Sequence, residues 1–168
     1  MQRHDGWELM MSEVAGLESV AFDDLCRTLR SNADRRRDDH RWPTDSLEAC
    51  AEAGVFRWFH GADWGGAGWS ESQVLQGYLR LAASCLTTTF IITQRTAACQ
   101  RIERSDNLTA QRRWLGALTA GECFATVGIS HLTTSRQHVA PVMVAERVAG
   151  GFVLQGTSPW VTGARHAD

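Results

Sequence analysis

The sequence predicts an α+β protein: an N-terminal all-α helical domain over residues 1–120, followed by an incomplete antiparallel β-barrel-like domain over residues 121–168. Three observations predict it. Apolar residues recur at helical spacing through the first two thirds of the chain, β-branched alternation with Gly and Pro punctuation takes over after Gly121, and at most four strands can be read from there on, too few to close a barrel.

A chain of 168 residues with 43% hydrophobic and 21% charged residues can bury a core of its own. The net charge of -2 argues against a broad nucleic-acid or acidic-membrane surface. Arg35, Arg36 and Arg37, flanked by Asp34, Asp38 and Asp39, read as a solvated helix face rather than a phosphate site. There is no lysine, so Schiff-base and lysine-nucleophile chemistry are excluded. Cys26, Cys50, Cys85, Cys99 and Cys123 form no C-x-x-C pair and no zinc-type cluster, which predicts reduced thiols, no metal site and a cytoplasmic protein. No apolar run reaches membrane-spanning length, and residues Met1 to Trp7 are polar rather than signal-like.

Leu17, Ala21, Leu25, Leu29 and Ala33 share one face of a first helix expected to end near Trp42-Pro43. Asp45 and Glu48 have the spacing of an N-cap and its partner, and predict a second helix that stops at Gly54. Ser70 and Gln73 form a capping-box pattern after the glycine stretch 65–68, which reads as a tight turn because it lacks a phosphate-loop pattern. From there Val74, Tyr78, Leu81, Ala82 and Cys85 trace a buried stripe. A helix from about Thr88 to Ile102 is apolar over Phe90-Ile91-Ile92 and Ala97-Ala98-Cys99, as expected of a helix enclosed on several sides. Asp106-Asn107 starts a shorter one.

Past Gly121, residues Cys123 to Ile129 read as a strand, and Val142, Val144 and Val148 alternate along a second. Gly150-Gly151 turns the chain into a third, Phe152 to Leu154, and Trp160-Val161-Thr162 follows as a late strand. Such a sheet has open edges and an uncovered apolar face.

The late stretch Gly156-Thr157-Ser158-Pro159-Trp160-Val161-Thr162-Gly163-Ala164-Arg165-His166-Ala167-Asp168 resembles the acyl-CoA dehydrogenase pattern Gly-x-Lys-x-Trp-Ile-Thr-Asn-Ala-x-x-Ala-Asp, with departures at Ser158 and Gly163. Trp64-Gly65-Gly66-Ala67-Gly68 is similar to that family's aromatic-Gly-Gly-x-Gly loop, and Leu81-Ala82, Cys85 and Thr87-Thr88-Thr89 to its close helix junction. The resemblance covers roughly Leu17 to Asp168. It implies a β-domain that carries FAD, a parent homo-oligomer, and a further C-terminal four-helix domain that supplies the catalytic base. No catalytic residue is therefore assigned within these residues, and the chain is not expected to turn over by itself.

Residues i and i+2 of a strand share a face, so Trp160 can cover an isoalloxazine while the Thr162 hydroxyl meets its polar edge, with Val161 between them. The family's other flavin loop, Thr-Glu-Pro-x-Ala-Gly-Ser-Asp, falls on residues 130–137, where only the first hydroxyl is kept, as Ser130. Val127, Ile129 and Ser130 can still offer main-chain donors and one hydroxyl to the cofactor. The position that meets an acyl-CoA ligand in the family falls on Arg136, or on Ser135 if the loop slips by one. His131 and His138 can exchange protons near neutral pH but read equally as surface residues.

Three functions stay open: dehydrogenation of an acyl-CoA or related thioester with electrons passed to an unidentified acceptor, oxygen activation by a flavin that a reductase has reduced, and a non-catalytic interaction module.

Overall fold

The computed structural model describes residues 16–39, 41–132 and 141–168. Five helices come first, α1 (Val20–Arg35), α2 (Thr44–Glu52), α3 (Glu71–Ser84), α4 (Leu86–Glu103) and α5 (Leu108–Ala120). One antiparallel hairpin follows, β1 (Met143–Val148) and β2 (Gly151–Gly156), in register from Met143 opposite Gly156 to Val148 opposite Gly151. α1 packs on α2 and α3, and α4 lies between α3 and α5. The core they share holds Phe22, Leu25, Leu29, Val55, Trp58, Leu81 and Ile92.

Local signals set most helix ends. Ser70 and Gln73 form the predicted capping box, with the Gln73 N–H donating to Ser70 Oγ and Gln73 Oε1 accepting from the Ser70 N–H at 3.0 Å. Asn107 caps α5 by accepting from the Ala110 N–H at 3.0 Å. Cys85 is both the C-cap of α3 and the N-cap of α4, its sulfur accepting from the Thr88 N–H at 3.5 Å. A single residue thus turns one helix into the next at the predicted junction. The glycine loop is a tight turn. A Cβ on Gly66 would lie 1.8 Å from the His60 carbonyl oxygen, so only a residue without a side chain lets the strands of the turn meet.

The structure corrects several expectations. α1 stops at Arg35, well before Trp42-Pro43, because the charged run beyond it has nothing to bury and Arg36 folds back, donating to the Trp42 carbonyl at 2.8 Å. α2 begins one residue before Asp45, with Pro43 at the cap and no side-chain cap bond. Asp45 sits instead in the first turn, where the helix dipole favours a carboxylate, paired with Arg36 at 2.7 Å. In the α3 stripe only Leu81 is fully buried, while Val74, Tyr78, Ala82 and Cys85 are half-buried. α1 buries Phe22 and Cys26 in addition to the predicted Leu25 and Leu29.

The β region changes most. Among the described residues the only hydrogen-bonded ladder is the hairpin, so residues 123–129 and 160–162 are not sheet strands. Both are nearby main-chain segments joined by a few contacts rather than a ladder. The hairpin exposes apolar side chains as expected, including Phe152 and Leu154. All five cysteines are unbridged. No helix among the described residues is long and apolar enough to cross a membrane.

The capping box gives a direct check. Ser70→Ala removes one satisfied donor at the start of α3 and is expected to lower stability by about 1 kcal/mol, read as a shift in the chemical-denaturation midpoint with an unchanged slope.

Candidate functional site

α5 ends on Gly121 in the left-handed region (φ 81°), and the chain leaves the helical layer there. Residues 124–130 then run antiparallel to residues 158–168. At one end the Phe124 N–H donates to Asp168 Oδ2 at 2.9 Å and the Asp168 N–H donates to the Phe124 carbonyl at 3.1 Å. In the middle Val161 lies against Gly128, whose Cβ position is 3.3 Å from Val161 Cγ2. At the other end Ser130 Oγ accepts from the Trp160 N–H at 3.2 Å and donates to the Trp160 carbonyl at 2.8 Å. Ser158 Oγ reaches the same hydroxyl at 2.9 Å.

The six residues predicted to face a cofactor are therefore brought together, although not by a sheet. Val127, Ile129 and Ser130 lie along one segment, and Trp160, Val161 and Thr162 along the other. Ser130 is buried, and its hydroxyl braces Trp160 rather than standing open to a ligand. The Trp160 indole is 62% exposed, which leaves it available as a stacking surface. Thr162 lies in a turn rather than on a strand, so the expected i, i+2 face shared with Trp160 does not exist. Its hydroxyl has no partner among the described residues. The main-chain N–H groups of Val127, Ile129, Val161 and Thr162 are likewise unpartnered there. Such donors, half or fully buried beside an exposed aromatic plane, fit a flat ligand with hydrogen-bond acceptors along one edge. Ser135, Arg136 and His138 lie outside the described residues.

Trp42, from the loop between α1 and α2, holds the far end of this arrangement. It stacks on His166 (centroids 4.2 Å apart, planes 11° apart) and meets Phe124 edge-on at 5.3 Å. Gly163, a departure from the family pattern, has φ 71°, and a Cβ there would lie 2.5 Å from Trp42 Cη2. The usual Asn tolerates that backbone; the indole beside it is what demands Gly here.

The helical layer holds polar groups that periodicity did not flag. His60 is buried, and its Nδ1 donates to Glu103 Oε2 at 3.1 Å, while Glu103 Oε1 accepts from the Gly61 N–H at 3.0 Å. His60 Nε2 is buried without a partner among the described residues. Burial pushes the His60 imidazole below its ordinary range, against the pull of Glu103. Tyr78 donates to Thr96 Oγ1 at 3.0 Å, and burial pushes its phenol up to about 12. Arg95, on α4, is fully buried, donates to the Leu118 carbonyl, and lies over the Phe56 ring at 3.8 Å. Its Nε and Nη1 have no partner among the described residues. A charged residue in the middle of the most enclosed helix was the one available sequence signal, since a buried cation needs a reason to be there.

A helical layer of this order, followed by a segment pair that presents an aromatic plane and open amides, defines a protein of the acyl-CoA dehydrogenase-like flavoprotein fold. The family model for the acyl-CoA dehydrogenase N-terminal domain matches residues 20–122, and the chain belongs to that family. It is 25% identical over 148 residues to the oxygenase subunit HsaA of a flavin-dependent monooxygenase from Rhodococcus jostii, covering 88% of this chain and 35% of that protein. A solved structure described as the electron transferring flavoprotein of Acidaminococcus fermentans superposes with a TM-score of 0.71 at 14% identity, over 89% of this chain and 42% of that one, and shares the fold. The chain thus spans less than half the length of either protein.

Two consequences can be measured. Gly163→Ala combines a left-handed backbone with overlap on Trp42 and is expected to cost more than about 1 kcal/mol in thermal or chemical unfolding. His60 resists protonation when folded, whereas the unfolded imidazole takes its proton near pH 6.5 (about the ordinary value). Its contribution to stability is thus present above that pH and lost as pH falls below it. The melting temperature is expected to fall between pH 7 and 5, and His60→Gln to flatten that slope.

Proposed function

We propose that this chain forms the helical domain (residues 1–120) and the cofactor-facing start of the β-domain (from residue 121) of a flavin-dependent oxidoreductase that uses FAD. The observation that carries the reading is that the main-chain N–H groups of Val127, Ile129, Val161 and Thr162, without partners among the described residues, lie on the two segments that Ser130 joins at the exposed Trp160. When bound, the flavin would supply the two-electron chemistry. The protein's part is to cover one face of the ring with Trp160, to offer N–H groups where negative charge grows on reduction, and to hold both segments still through Ser130.

Of the two reactions open to such a flavin, use of molecular oxygen is supported by the likeness to a monooxygenase subunit over most of the chain. It is also supported by the loss of the family's Glu-Pro-x-Ala-Gly-Ser-Asp run after Ser130, the part that meets an acyl-CoA ligand. Dehydrogenation of an acyl-CoA thioester is the second reading, supported by the Trp-x-Thr stretch and the matching loop at Trp64. Five unbridged thiols fit a cytoplasmic setting.

The test is flavin binding. Wild-type protein is expected to bind FAD with a perturbed visible spectrum and quenched tryptophan emission, and Trp160→Ala to weaken binding by about tenfold, the worth of one aromatic stack. Equal affinity in both proteins would remove Trp160 from the site. In a flavin-loaded protein, bleaching by a reductase but not by acyl-CoA supports the oxygen-using reading, and bleaching by an acyl-CoA supports the other.

A further inference from the structure

A cavity of about 220 Å³ lies between α2, α4 and the start of the β region, at the opposite end of the paired segments from Trp160. Its walls include Trp42, Phe56 and Phe124, and Arg95 forms part of its floor. Thr44 and Glu48, both exposed, stand at its mouth.

Arg95 is the unusual group. It is fully buried, only its Nη2 is engaged, and the N–H groups on Nε and Nη1 meet no acceptor among the described residues. Stacking on Phe56 offsets part of the cost of burying the cation but satisfies none of those donors. A buried guanidinium with idle donors, set in a cavity wall, is a group waiting for an anion. The anion's chemistry is constrained from two sides. Glu122 and Asp168 line the cavity with Glu48, so a multiply charged ion such as phosphate would meet repulsion from three carboxylates. The aromatic walls favour a compact apolar body behind a single charge.

We propose that this cavity binds a small monocarboxylate with an aromatic or branched apolar body, its carboxylate held by Arg95 and its body between Trp42, Phe56 and Phe124. The site is separate from the flavin-facing residues, so the ligand is a second small molecule rather than part of the cofactor.

Titration calorimetry of the 168-residue chain at constant ionic strength tests this, with sodium benzoate as the probe and sodium phosphate as the control. Benzoate is expected to bind saturably and raise the melting temperature, and phosphate to do neither. Arg95→Met should weaken benzoate binding by about tenfold or more, the worth of hydrogen bonds to a charged group. Should that variant fail to fold, Thr44→Trp decides, because it closes the mouth from an exposed position: lost binding supports the site, and unchanged binding overturns it. Absence of saturable benzoate binding by the wild type, phosphate binding of equal strength, or full affinity in a folded Arg95→Met also overturns it.

Discussion

The Ser130 hydroxyl is the joint on which the candidate site depends. It takes the Trp160 N–H and returns its own proton to the Trp160 carbonyl, so one buried side chain satisfies both main-chain groups of a residue distant in sequence. A ladder would have fixed the two segments through many weak bonds. Here a single hydroxyl does so, reinforced by Ser158 and, at the other end, by the exchange between Phe124 and Asp168. Because the joint uses few main-chain groups, the rest remain open to a ligand. A fully paired sheet would have used the same N–H groups internally.

The helical layer serves this joint. Trp42 reaches from the α1–α2 loop to stack on His166 and meet Phe124, tying the end of the paired segments to the helices. That loop is held in turn by Arg36, which donates to the Trp42 carbonyl and pairs with Asp45. Gly163 gives the indole room. The core therefore reaches the site by aromatic contact rather than by a continuous sheet, and substitutions near Trp42 should be felt at Trp160.

The helices were legible because amphipathic spacing and capping residues act locally. Ser70 with Gln73, Asn107 and Gly121 mark their elements as the sequence alone implies. Asp45 misled because two signals compete at the start of a helix: a carboxylate is favoured both as a cap and in the first turn, and the ion pair with Arg36 selects the second. The residues 123–129 and 160–162 have strand composition, but strand identity is a property of pairs, and β propensity cannot say whether a partner is present. Their nearness in space was legible only through likeness to a known family. His60 and Glu103 were not legible, since each takes its meaning from a partner far along the chain, and Arg95 offered only the signal of a charge within an enclosed helix.

A flavin bound as proposed would meet residues 127–130 and 160–162 as one surface. The most direct measurement is the change in backbone amide resonances of labelled protein as FAD is added. Concerted shifts are expected at Val127, Ile129, Val161, Thr162 and the Trp160 indole, with α1 and α2 unmoved. Shifts confined to the helices, or at only one of the two segments, would contradict this arrangement.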